Sequence, residues 1–486
     1  MSNSSSLLNH PRGLFVLSFS EMFERFSFYG MRSLLVLYMV NQLKYSDNVA
    51  YGIFGLYAAL VYAAPLIGGF LADKVIGFRR AVITGSIIIS LGHFCMALPI
   101  GDAALYIGVG LIISGTGLFK SNISAMVGML YSADDQRRDA GYTLFYLGIN
   151  IGGFLAPFAC GYIATQYGWH LGFGLASVGM IIGALTLIFM TRHYAHIESE
   201  KPKGKALSTA TLVGGLLAGP MFAGMVYYND LFSNILPLFG FAFLGYIIYV
   251  AMNSNAAERR NIFVLVTAIL LLMLSGALVE QSGMALTLFA ERSVDRTIFG
   301  WVIPTSFFQS IDPLTVLLFA GPISAVWMRL AAKGRDLSAF AKYIIGFVLI
   351  GLAYLTVYLG CQAGDANQGL SPLFYAVSGM TLLALGDICL YPVCLSLCSR
   401  LAPKRLEGIM MGGVMMGLAF SNLMGAVLAK FASVSEEQLE SVKVAETLGV
   451  YKSLFYDLTV IAAICIGISI IVKLIMLRVS NQATTA

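Results

Sequence analysis

Fourteen apolar runs follow one another along the chain, near 14–40, 52–71, 80–99, 104–131, 141–165, 170–191, 207–228, 233–253, 262–290, 297–328, 340–361, 372–399, 406–430 and 452–478. Each is long enough to cross about 30 Å of hydrocarbon as an α-helix. In lipid, a helix satisfies every backbone N–H and C=O within its own segment. The expected fold class is therefore all-α integral membrane, with 14 transmembrane helices. Charge usage agrees: 11% of the 486 residues are charged and the mean hydropathy is +0.81, against roughly 25% charged in a soluble domain. Met1 to Asn9 is Ser-rich and uncharged, and charges interrupt the first run, so no cleavable leader is expected and the first helix stays in the mature protein.

Lys and Arg concentrate on the cytoplasmic side of membrane proteins. With fourteen crossings beginning inside, that side collects Arg12, Lys74, Arg79, Arg80, Arg137, Arg138, Arg192, Lys201, Lys203 and Lys205, and further pairs and triplets through Arg478. The other side receives only Lys44, Arg292, Arg296, Lys430, Lys443 and Lys452, beside an acidic stretch with Glu436, Glu437, Glu440 and Glu446. Both termini are thus expected in the cytoplasm. The net charge of +5 follows from topology and calls for no nucleic-acid partner. Cysteines at 95, 160, 361, 389, 394, 398 and 465 lie mostly in apolar runs without metal-ligand spacing and read as packing residues.

The first run carries Glu21, Glu24, Arg25 and Arg32. A charge at the centre of a spanning helix costs about 2.5–3.5 kcal/mol, so these need partners or a water-filled cavity, and they point to a solute pathway. Glu21, Arg25, Tyr29 and Arg32 recur at steps of four, four and three, forming one polar stripe. From Arg25 to Arg32 the rise is about 10.5 Å. Mutual pairing accounts for Glu21 and Arg25 but leaves Glu24 and Arg32 unexplained.

Six runs at each end frame an N-terminal bundle over 1–191 and a C-terminal bundle over 261–486, joined over 192–260 by a linker and an extra helix pair. Two bundles rocking about a midplane site is the pattern of alternating-access carriers. The extra pair carries no charge within its runs and suits a peripheral, lipid-facing position. Gly69-Phe-Leu-Ala-Asp73-Lys74-Val-Ile-Gly77-Phe-Arg79-Arg80 lies between the second and third runs. It resembles the signature of the major facilitator superfamily, in which an acid and basic residues form a charge-relay latch.

Two further segments, Phe119-Lys120-Ser-Asn122-Ile-Ser124 and Phe145-Tyr146-Leu-Gly-Ile-Asn150-Ile-Gly152-Gly153, join the Glu-x-x-Glu-Arg motif at 21–25. Together they resemble the proton-dependent oligopeptide transporter (POT/PTR2) family. The match continues through Glu280-Gln281, Gln309 to Asp312-Pro313, and Gly386-Asp387 followed by Pro392, covering nearly the whole chain. The layout looks closest to the bacterial dipeptide and tripeptide permeases.

The resemblance implies a major facilitator fold of two six-helix bundles plus two extra helices between them. It also implies a proton-coupled symporter that imports di- and tripeptides across the bacterial inner membrane, acting as a monomer, with the proton as coupling ion and no cofactor or metal. By the same resemblance, Arg25, Arg32 and Lys120 face the substrate carboxylate, and Asn150, Asp312 and Asp387 face its amine. Tyr29 supplies a pocket hydroxyl. Glu21 and Glu24 with Arg25 belong to proton coupling, and Glu280 faces Arg32 or Lys120. The chain departs from the family pattern at Phe28, where Tyr is usual, at Asp387 for Glu, at Asp312 for Asn, and at Met415-Met416 for Trp-Phe.

A carrier of another small solute, such as nitrate or a modified amino acid, is the alternative on the same scaffold. Charges of both signs favour a zwitterion. An enzyme finds no support, since no phosphate loop, nucleophile motif or His-rich cluster stands among the helices.

Overall fold

The structure, a computed structural model, describes residues 10–132, 134–197, 205–367, 369–434 and 444–484. The acidic positions Glu436, Glu437 and Glu440, and the basic positions Lys201, Lys203 and Lys443, lie outside them. The first eight helices are α1 (Arg12–Leu37), α2 (Asp47–Leu71), α3 (Phe78–Met96), α4 (Asp102–Met129), α5 (Arg138–Tyr167), α6 (Trp169–Phe189), α7 (Lys205–Tyr227) and α8 (Asn229–Met252). They are followed by α9 (Ala256–Val279), α10 (Ala285–Ser293), α11 (Ile311–Ala332), α12 (Ala339–Asp365), α13 (Leu373–Ile388), α14 (Tyr391–Leu401), α15 (Glu407–Lys430) and α16 (Val444–Thr484).

All fourteen runs contain helix; two of them are interrupted and one begins otherwise. A 3-10 turn at Glu280–Gly283 separates α9 from α10. Cys389 and Leu390 separate α13 from α14, where Pro392 at the start of α14 restarts the helix. The run expected from 297 begins instead as a hairpin pairing Thr297–Ile298 with Trp301–Val302. Phe299 and Gly300 both take positive φ, 49° and 79°, as a two-residue primed turn requires. Among the described residues, 12 helical segments are long and apolar enough to cross a membrane. The polar stripe keeps α1 out of that set, and Arg79-Arg80 at its start keeps α3 out.

The chain divides into two compact units, one from Met1–Leu43 and Leu60–Asn229, the other from Lys44–Ala59 and Asp230–Ala486. In the first, α1 packs on α5 and α6, and α4 on α3 and α7. Lipid gives helices little hydrophobic reason to associate, so small residues that let backbones approach decide the contacts. A Cβ on Gly68 of α2 would meet the Gly117 carbonyl oxygen of α4 at 1.9 Å, and one on Gly110 would meet the Gly219 oxygen at 2.3 Å. Ser114 Oγ also donates to the Gly215 oxygen at 2.7 Å. Helix α7 is therefore keyed into α4 on one face, while Leu217 and Met221 are exposed on the other.

In the second unit α12 packs on α13 and α16, and α9 on α15. Two buried tyrosines fasten α12 to α9: Tyr343 Oη donates to Ala268 O at 3.1 Å and Tyr354 Oη to Leu278 O at 2.5 Å.

Candidate functional site

On α1 the Arg25 guanidinium is held by two carboxylates of its own helix. Its Nη2 donates to Glu24 Oε1 at 2.6 Å, its Nε to Glu24 Oε2, and Glu21 Oε1 lies 3.3 Å from Nε. All three residues are nearly sealed from solvent, at 2%, 1% and 5% exposure for Glu21, Glu24 and Arg25. The Phe28 ring sits 4.9 Å from the guanidinium carbon, a cation–π contact. Both Glu24 oxygens are therefore committed to Arg25. Glu21 Oε2, in contrast, is buried with no hydrogen-bond partner.

That asymmetry has chemical content. Protonating Glu24 would strip a guanidinium of its bidentate counterion, whereas protonating the open oxygen of Glu21 removes a buried charge and adds a donor. Of the two acids, only Glu21 keeps a buried carboxylate oxygen without a hydrogen-bond partner.

Lys120 projects from α4 so that Nζ lies 4.1 Å from the centre of the Tyr62 ring of α2. It shares an electrostatic neighbourhood with Arg25, Glu24, Glu21 and Arg32. The close approach at Gly68 and Gly117 makes this possible, and Asn122 Nδ2 reinforces it by donating to Leu118 O at 2.8 Å and Gly68 O at 3.3 Å. Tyr29 and Arg32 are half-buried on α1. Asn150 on α5 is 7% exposed and donates to Tyr146 O at 2.9 Å, within its own helix.

The expected acids of the second unit all sit at helix ends. Glu280 opens the turn between α9 and α10, Asp312 lies in the first turn of α11, and Asp387 in the last turn of α13. Asp387 lies in the electrostatic field of both Asp312 and Glu280. Gln281 pins the turn beside Glu280, donating from Nε2 to Ala277 O at 3.0 Å and Gly425 O at 2.8 Å. Among the described residues, no group of three or more His, Cys, Asp or Glu could hold a metal ion.

Sequence reasoning did not single out Asp47, which is 0% exposed at the start of α2. Arg292 of α10 clamps it bidentately, Nη1 to Oδ2 at 2.6 Å and Nη2 to Oδ1 at 2.7 Å. The Val434 amide donates to Oδ2 at 3.0 Å, and Arg292 Nη1 reaches Tyr451 Oη at 3.3 Å. An acid just before an apolar run reads as an ordinary helix start, so no local signal marks a partner 245 residues away. In the signature segment, Asp73 pairs with the adjacent Lys74 at 2.9 Å, both largely exposed. In the loop between α4 and α5, hydrogen bonds from the Arg137 side chain and amide hold the Asp135 carboxyl down at about 2.

Residues 79–447 match the family model described as POT family. The chain is 32% identical to the peptide transporter YePEPT of Yersinia enterocolitica, over 98% of this chain and 96% of that one. It is 33% identical to a di-/tripeptide transporter of Lactococcus lactis subsp. cremoris, over 84% and 86% respectively. Among solved structures it resembles a peptide transporter POT crystallised with sulfate, with a TM-score of 0.81, 29% identity, and coverage of 96% of this chain and 95% of that one. Family model, relatives and fold agree across nearly the whole length, and the chain belongs to the POT family.

Proposed function

We propose that the protein is a proton-coupled symporter that imports di- and tripeptides by alternating access. The observation that carries this reading is the segregation of charge. The first unit gathers Arg25, Lys120 and Arg32 with the two acids Glu21 and Glu24 around α1 and α4, an excess of one positive charge, and the second places Glu280, Asp312 and Asp387 at helix ends. A peptide backbone has one charge of each sign at its ends whatever its side chains are. The basic set suits the carboxylate, the acidic set the ammonium, and Tyr29 and Asn150 the polar groups between. Nitrate would have no use for three carboxylates.

The proton enters at Glu21, whose open oxygen can take it, while Glu24 remains the counterion of Arg25. Glu280, at a helix break, is the second carboxyl able to exchange a partner during the cycle. Both charge sets lie in one chain, so a monomer suffices. The excess of Lys and Arg on one face orients both termini to the cytoplasm of a bacterial inner membrane.

The reading is tested in proteoliposomes by uptake of labelled dialanine under an imposed pH gradient. Accumulation should follow the gradient and collapse with a protonophore, and labelled peptide should exchange against excess unlabelled peptide. Accumulation that survives the protonophore, or that follows sodium, would overturn it.

A further inference from the structure

We propose that the first unit binds an anionic phospholipid of the cytoplasmic leaflet between α3 and α7, with Arg79, Arg80, Ser208 and Thr209 holding the headgroup phosphate. A cavity of about 360 Å³ opens there, within the range of ligand pockets, about 300–1,000 Å³. Its lining changes character along the helices. Arg79 and Arg80 in the first turn of α3 meet Ser208 and Thr209 near the start of α7, beside Ile76 and Phe78, while Ile83, Thr84 and Ile87 of α3 and Leu212 of α7 line the part farther along the helices. From Arg80 to Ile87 the rise is about 10.5 Å. The pocket thus carries its charge at one end and, one to two turns deeper, is apolar but for Thr84, the polarity order of a phospholipid entering from its headgroup.

Three features select an anion. Both helices present their N-terminal ends here, where exposed N–H groups and the helix dipole favour negative charge. Gly77, at φ +86°, turns the chain sharply enough for α3 to start beside the mouth. Arg80 Nη1 donates to Ile76 O at 2.9 Å, which orients the guanidinium. A guanidinium has five N–H donors in a planar fork, so that bond is compatible with phosphate contacts.

Two further features select a lipid over a soluble phosphate. Ile83 and Ile87 offer nothing to inorganic phosphate, and Leu212 packs against the apolar cluster of Ile76, Ala81, Ile88 and Leu118. The mouth also lies on the Lys- and Arg-rich side, which faces the anionic cytoplasmic leaflet, and basic pockets between helices on that side bind such headgroups. Bound there, the lipid would pin the inserted helix α7 to α3.

Native mass spectrometry of the full-length protein, titrated with phosphatidylglycerol or phosphatidylethanolamine, reads the site directly. Phosphatidylglycerol should be retained preferentially, and the double variant Arg79→Gln/Arg80→Gln should lose roughly thirtyfold in retention. Leu212→Trp fills the apolar end without altering charge and should also expel the lipid, so it decides the matter if the double variant fails to fold. Arg400→Gln, a basic residue at the end of α14, should change nothing. Equal retention of the two lipids, or wild-type retention in either pocket variant, would overturn the proposal. So would displacement of phosphatidylglycerol by equimolar glycerol 3-phosphate, which would leave a phosphate site with no lipid specificity.

Discussion

The two units carry their buried charges in opposite ways. In the first, charges stand on uninterrupted helices and include their own counterions, with Arg25 clamped by Glu24 on the same turn and Lys120 facing that pair. In the second, three carboxylates stand where helices start, stop or break, with Asp387 in the field of Asp312 and Glu280. A self-compensated cluster can persist without substrate, whereas an acidic cluster at helix ends is relieved by an arriving ammonium or proton. On the proposed function, the first unit receives the anionic end of the substrate and the second responds to cations.

The largest effect should come from breaking the self-compensation. Arg25→Met leaves Glu24 buried at 1% exposure without its guanidinium, and an orphaned buried charge typically costs about 3–5 kcal/mol. Uptake should fall by at least about a hundredfold, with a clear drop in melting temperature. Adding Glu24→Gln should recover most of the stability but not the uptake. Strictly additive single and double variants would dissolve the pair as a unit.

Next in size is the clamp that sequence reasoning passed over. Asp47→Asn should lower stability by about 2–3 kcal/mol, because it weakens two charge-assisted bonds to Arg292 in a fully buried site. Asp365→Asn removes the same type of charge from the exposed Lys452 pair, at 51% and 30% side-chain exposure, and should cost less than about 1 kcal/mol. Similar melting shifts for the two variants would show that burial does not set the worth of these pairs.

What could be read from the sequence follows from what is local. Apolar length reveals each spanning run, and the stripe of Glu21, Arg25, Tyr29 and Arg32 follows from helical spacing alone. The polar segment Glu280-Gln-Ser-Gly283 interrupts its apolar run, but that it forms a turn depends on Gln281 bonding Gly425, far along the chain. Asp47 and Arg292 were invisible as a pair for the same reason. Phe28 read as a lost hydroxyl, whereas its ring stacks on Arg25 at 4.9 Å, a gain that spacing cannot reveal. The seating of α7 depends on Gly110 and Gly219, small residues whose meaning appears only once the backbones are placed.

A more modest effect is expected at the acidic cluster. Asp387→Asn should keep the fold and weaken peptide affinity about tenfold, or ~1.4 kcal/mol, while flattening the pH dependence of uptake. Asp387→Glu should remain active. Wild-type affinity and pH profile in Asp387→Asn would remove Asp387 from the ammonium site and leave Asp312 as the second unit's candidate.

The smallest effect should come from a carboxylate that titrates in the wrong range. Arg137, through its side chain and then its amide, holds Asp135 at about 2, below the ordinary aspartate value of about 3.9. A carboxyl depressed on folding stabilises fully above its unfolded value and loses that contribution only as pH falls towards the folded one. Between pH 5 and 8 Asp135 therefore stays ionised, and Asp135→Asn should leave the pH profile of dipeptide uptake unchanged. Glu21→Gln, which removes the carboxyl with the open oxygen, should abolish gradient-driven accumulation under the same assay. A profile that shifts with Asp135 but not with Glu21 would place proton coupling in the loop between α4 and α5 and undo the contrast drawn between the units.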